Sequence, residues 1–192
     1  MIRNLARNVQ SFTSNAFLVT GERTVLVDVG NDFDIVSAVE EHADGLDAVV
    51  LTHTHHDHVG NLPAVVDAFD VAAWGYDTDQ DGVTRSVVDG DTVTLGDHDY
   101  RVLYTPGHKN DHVCLYSATA SVLFAGDLVF ADGGFGRTDL EEGDRDLLVE
   151  SIDRVLETVD EALESMHTGH GPSVTAPYHD IELAWQTARF SA

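Results

Sequence analysis

Ala48, Val49, Val50, Leu51 and Thr52 run directly into His53, Thr54, His55, His56, Asp57 and His58, and that junction decides how the chain is read. The first five residues are an apolar, β-branched run of the kind that forms a buried strand. Residues two apart on an extended backbone point the same way, so His53 and His55 share a face, while Asp57 and His58 follow across a turn. Three imidazoles and a carboxylate in this order can supply two neighbouring metal sites. His56 lies between the ligands in sequence and points away from them. Asp57 stands where a helix over Val59 to Phe69 would take its N-cap, so one side chain would both cap and ligate.

The chain has 192 residues and 43% hydrophobic content, enough for one domain over residues 1–192 with a full core. Its ionic balance is extreme: 34 acidic residues against 10 basic ones, a net charge of -24, with Lys109 the only lysine. Such a surface repels nucleic acid, whose recognition needs basic groups. Acids alternate with periodic apolar residues from Asp144 to Asp160, so the charge reads as the solvated coat of a folded protein. A saline cytosol would screen its self-repulsion. Met1 to Asn15 contains no apolar core of signal-peptide length, and no stretch is long enough to span a bilayer, so a soluble cytoplasmic protein with no membrane partner is expected. Cys114, alone in the apolar run His112 to Tyr116, is expected to be a buried reduced thiol.

Upstream of the junction, Ala16 to Thr20 and Thr24 to Val29 predict a hairpin leading into Asp28 and Gly30, and Asp34 to His42 has helical apolar spacing. Downstream, strands are expected at Val71 to Trp74, Arg85 to Val88, Asp91 to Leu95, Tyr100 to Tyr104, Val113 to Ser117 and Ser121 to Ala125. Helices are expected over Asp144 to Val159 and Tyr178 to Phe190. Two strand-rich halves, each bearing helices, predict two sheets packed face to face with helices outside and a site at one edge.

Ligand candidates recur at strand ends. Tyr104, Thr105, Pro106, Gly107 lead to His108, with His112 four residues on; Phe124, Ala125, Gly126 lead to Asp127; Thr168, Gly169 lead to His170. His42, His98, His167 and His179 have no such context and read as surface or helix residues. Asp28 reads as a turn or supporting group, and His112 as a donor behind the ligands or an exposed strand residue.

With these residues in this order, the chain resembles the metallo-β-lactamase superfamily over essentially its whole length. The resemblance implies an α+β fold, the four-layer αββα sandwich, with His53, His55 and His108 holding one metal, Asp57, His58 and His170 a second, and Asp127 bridging. The stretch Gly133, Gly134, Phe135, Gly136, Arg137, Thr138, Asp139, Leu140 is similar to the segment after the bridging aspartate in glyoxalase II proteins and persulfide dioxygenases. Glyoxalase II proteins also carry a C-terminal helical region that helps bind a glutathione thioester, whereas about twenty residues follow His170 here.

A mixed His/Asp donor set without thiolates suits two Zn(2+), or iron or manganese. Two such cations would bring water's pKa from near 16 toward about 7, giving a metal-bound hydroxide that Asp57 orients for attack on a carbonyl. The first expectation is thus a glyoxalase II-like hydrolase acting on a thioester of a small thiol. Arg137 either binds an anionic part of that substrate or pairs with Asp139. The alternative is a mononuclear iron persulfide dioxygenase using His53, His108 and Asp127 as a facial triad.

Overall fold

The computed structural model of the chain describes residues 1–190. Its elements are, in order, β1 (Ile2–Asn4), β2 (Phe17–Val19), β3 (Val25–Val27), α1 (Ile35–Glu40), β4 (Ala48–Val50), α2 (His56–Val59), α3 (Leu62–Phe69), β5 (Ala73–Gly75), β6 (Val83–Ser86), β7 (Thr92–Leu95), β8 (His98–Tyr104), β9 (Val113–Ser117), β10 (Val122–Gly126), a 3₁₀ turn (Ala131–Gly133), α4 (Arg145–Thr158), β11 (Ser165–Thr168), β12 (Val174–Thr175) and α5 (Tyr178–Phe190). They gather into two compact units, Met1–Val87 with Val93–Asp99, and Val88–Thr92 with Tyr100 onward.

In the first unit one sheet has the order β1-β2-β3-β4-β5-β6 and is parallel from β3 to β6. Strands β2, β3 and β4 are buried at every position, and the continuous apolar runs of β3 and β4 are those of parallel strands. Leu18, Leu26, Val49 and Leu51 pack with Ile35 and Val39 of α1 and Leu62 and Val65 of α3. Helix α1 begins at Asp34, whose carboxylate accepts from the Ser37 N–H at 3.0 Å. The helix expected from Val59 to Phe69 is two helices. Pro63 falls in the first turn of α3, and in an unbroken helix its ring would collide with the Val59 carbonyl four residues earlier. Asp57 accordingly lies inside the first turn of α2, with His55 at the N-cap, so the expected capping role for Asp57 is not found.

The second unit is built on a sheet of order β12-β11-β10-β9-β8. Leu148, Ile152 and Val155 recur along one stripe of α4 and pack with Ile181, Ala184 and Ala188 of α5 over Leu103, Leu123 and Met166. Cys114 is buried, and burial pushes its thiol up to about 12. His167, read from sequence as a surface residue, instead packs its ring 5.1 Å from Phe124 and meets the Ser173 hydroxyl at 2.8 Å. Burial pushes that imidazole down to about 4. Among the described residues, no helix is long and apolar enough to cross a membrane.

Strand direction fixes where loops emerge. In the first unit β3 and β4 are parallel neighbours, so the turn after β3, bearing Asp28, and the segment after β4, bearing the histidine cluster, leave at the same edge. In the second unit β8 and β10 are both antiparallel to β9, and β10 is parallel to β11. The segments carrying His108, Asp127 and His170 therefore also leave at one edge. Ligand sites in open sheets form at such carboxyl ends.

Candidate metal centre

In the first unit a chain of hydrogen bonds starts at Asp28. This residue is buried and holds a left-handed φ of 55°, a conformation that Asp tolerates better than most residues. Its carboxylate accepts from the Thr52 N–H (2.8 Å), the Thr52 hydroxyl (2.8 Å) and His58 Nδ1 (2.9 Å). Because the Thr52 hydroxyl gives its proton to Asp28, it accepts from His53 Nδ1 at 3.2 Å. Both rings thereby present Nε2, the orienting arrangement found behind metal-ligating histidines. His53 Nε2 stands 3.1 Å from His55 Nδ1, and the His53 and His58 rings have centroids 4.0 Å apart. Asp57 is half-buried beside them in sequence and His56 is exposed.

In the second unit Asp127 is the centre. Its Oδ2 lies 3.5 Å from His108 Nε2 and 3.5 Å from His170 Nε2. That spacing is long for a hydrogen bond and close to the roughly 3.4 Å between two donors sharing one tetrahedral cation at ~2.05 Å. Several local features produce it. The Gly169 N–H donates to the Gly126 carbonyl at 2.7 Å, where the β10–β11 register shifts, and this ties the residue before Asp127 to the residue before His170. His108 Nδ1 donates to the Arg137 carbonyl at 2.8 Å, which leaves Nε2 turned to Asp127. His112 accepts the Asp127 N–H at Nε2 (3.0 Å), so its proton is on Nδ1 and points at the Thr105 hydroxyl (2.8 Å). His112 is fully buried and acts on the backbone of Asp127.

Gly136 belongs to this scaffold. A Cβ there would come within 2.0 Å of the Asp127 carbonyl oxygen and 3.0 Å of the His108 Cβ. Arg137 makes two hydrogen bonds to Asp139, at 2.8 and 2.7 Å, and both side chains are exposed. That pairing holds the Asp139 carboxyl down to about 2. Thr52, Gly136 and the Arg137 carbonyl were not read from sequence as site residues. Thr52 carries no signal beyond preceding His53, and a main-chain carbonyl has none.

The Asp28 network gives a direct test. Asp28→Asn keeps the left-handed backbone and the volume but replaces one acceptor oxygen by a donor, so Thr52 and His58 cannot both be satisfied. Zinc affinity measured against a competing chelator should fall about 10- to 100-fold, with about 1–3 kcal/mol of stability lost to the buried mismatch. Unchanged zinc affinity would leave Asp28 as a turn residue alone.

The sequence profile of the metallo-beta-lactamase superfamily matches residues 10–186. A hydroxyacylglutathione hydrolase of Klebsiella pneumoniae subsp. pneumoniae is 35% identical over 153 residues, covering 77% of this chain and 59% of that protein. The chain thus spans less than two thirds of the length of the curated relatives it matches. Among solved structures, TTHA1623 in a di-iron-bound form is 29% identical with a TM-score of 0.77, covering 93% of this chain and 96% of that one. ETHE1 from Myxococcus xanthus is 24% identical with a TM-score of 0.78, covering 99% and 90%.

Proposed function

This chain belongs to the metallo-β-lactamase superfamily, with its α+β sandwich fold, and from that premise we propose that it is a metal-dependent hydrolase of glyoxalase II-like type. Its substrate is a thioester of a small thiol, residues 1–192 make one catalytic domain, and the acidic surface fits it to a saline cytoplasm. The observation that carries the reading is the position of one Asp127 oxygen at 3.5 Å from both His108 Nε2 and His170 Nε2. A carboxylate between two imidazoles is the donor pattern of a bridge between two cations. A facial triad of His53, His108 and Asp127 gives His170 no part.

His53, His55 and His108 would hold one cation and Asp57, His58 and His170 the second, with Asp127 serving both. The imidazole and carboxylate donors fit zinc, iron or manganese. When bound, the pair would supply Lewis acidity to polarise a carbonyl and bring water's pKa toward about 7. Asp57 accepts a hydrogen bond from the attacking water and aims it at the acyl carbon. The water gives one proton to solvent as its oxygen bonds to the acyl carbon. The tetrahedral adduct collapses to the carboxylic acid with cleavage of the C–S bond, and the sulfur leaves as thiolate and takes a proton from solvent. Asp28 and Thr52 hold the His58 and His53 rings still through this sequence. Arg137 lies beside His108 in the fold through its carbonyl and offers a cation for an anionic substrate group, provided that it exchanges Asp139 for it.

Metal analysis of protein purified without added metal, with thiol release from an acyl-thioester and oxygen uptake on a persulfide measured side by side, tests the proposal. Two metals per chain and thiol release without oxygen uptake are expected. One iron per chain with persulfide-dependent oxygen uptake would replace the hydrolase by the dioxygenase.

A further inference from the structure

Lys109, next to His108, is the only lysine in a chain with 34 acidic residues, and it is 7% exposed. Burying a lysine is costly unless its ammonium is paired. Its Nζ lies 3.4 Å from Asp111 Oδ1 and 3.1 Å from Glu142 Oε1, with Glu142 Oε2 at 3.2 Å. Asp111 is 3% exposed. The lysine therefore joins two segments, Gly107 to Asp111 and Gly136 to Asp144. These segments meet at two further points. His108 Nδ1 donates to the Arg137 carbonyl at 2.8 Å, and the Asp144 N–H donates to the Gly107 carbonyl at 2.8 Å. Neither segment is regular structure, so few backbone bonds hold one in register on the other.

We propose that Lys109 is a positioning residue, an ionic staple from the His108 loop to Glu142 that keeps the Arg137 carbonyl under His108 Nδ1 and so keeps Nε2 turned toward Asp127. The inference rests on the reading of His108 as a metal ligand. A lysine suits the task because its ammonium donates to Glu142 on one segment while keeping ion-pair distance to Asp111 on its own. Lys109 and Asp111 are buried, which shields that end of the cluster from salt, while Glu142 reaches the surface.

Lys109→Met keeps the stem and removes the charge, and Lys109→Arg restores it. The combined variant Lys109→Met, Asp111→Asn, Glu142→Gln removes all three charges, so that no carboxylate of the cluster is left buried without its cation. Two readouts are taken. In the metal-free proteins, long-range proton–nitrogen NMR correlations, assigned against His108→Gln, report which His108 nitrogen carries the proton. Zinc titration calorimetry reports stoichiometry and affinity. The wild-type chain and Lys109→Arg should show a single Nδ1-protonated His108 and two zinc ions. Lys109→Met and the combined variant should show exchange-averaged His108 signals and about 10- to 100-fold weaker binding of one zinc. A combined variant with the wild-type His108 signature and wild-type zinc affinity would overturn the staple. It would mean that the lysine only neutralises buried acids. Wild-type protein with an ordered Nδ1-protonated His108 but no zinc binding would instead overturn the metal reading and leave the staple standing.

Discussion

Replacing His55 by alanine should lower thioester hydrolysis by orders of magnitude while leaving the metal-free protein's melting temperature close to wild type. His55 is half-buried and its ring is no part of either hydrophobic core, so its loss opens no cavity in them. Its Nδ1 stands 3.1 Å from His53 Nε2, the spacing of two donors on one cation. On the proposed ligand set, the loss of His55 would leave at most His53, His108 and Asp127 for that cation. Three donors still bind, and weaker retention with a disturbed bridge is the expected consequence. The dioxygenase alternative makes the opposite forecast, because its triad of His53, His108 and Asp127 does not include His55. Iron content equal to wild type with near-normal oxygen uptake in His55→Ala would therefore exclude the two-cation centre. Loss of one metal per chain together with loss of thiol release would support it. Asp28→Asn should act in the same direction and less strongly, since it loosens two rings without removing either donor.

The parts of this chain that were legible in its sequence are those governed by local rules. The strand before His53, the hairpin into Asp28, α4 and α5 follow from apolar period and turn residues, and the strand Val113–Ser117 has the bounds expected of it. Elements held by pairing alone were not. β1 has three residues and β12 has two, too few for any period to register. The helix over Val59 to Phe69 was misread because its apolar spacing continues across a break that Pro63 imposes. The candidate donor residues stand out in the sequence because His and Asp after apolar strands are chemically conspicuous. What supports them was hidden, because a Thr hydroxyl relay, a carbonyl under an imidazole and a glycine without room for a Cβ are relations between segments distant in sequence.

Salt should move the stability of the protein further than any surface substitution. Thirty-four carboxylates oppose ten basic residues, and among the described residues Arg137 pairs with Asp139, Arg154 with Asp89 and Lys109 with Glu142. The remaining excess is repulsive, and its range is set by the Debye length, about 30 Å at 0.01 M and about 3 Å at 1 M. In dilute buffer each carboxylate feels most of the others, and unfolding relieves that repulsion by spreading the charges apart. In molar potassium chloride each feels only its neighbours, so the folded state gains relative to the unfolded one. Exposed pairs such as Arg137–Asp139 weaken in the same salt, but surface pairs contribute little and they are few beside a net charge of -24. The melting temperature of metal-free protein should thus rise markedly from 0.01 M to 1 M potassium chloride, and activity should follow the folded fraction. Loading with zinc should raise the low-salt end most, because a cation held only by the native state adds stability and cancels part of the local negative field. A melting temperature flat across that range in the metal-free protein would mean that the carboxylates are too far apart or too well solvated to destabilise the fold, and the acidic surface would then need an explanation other than high salt.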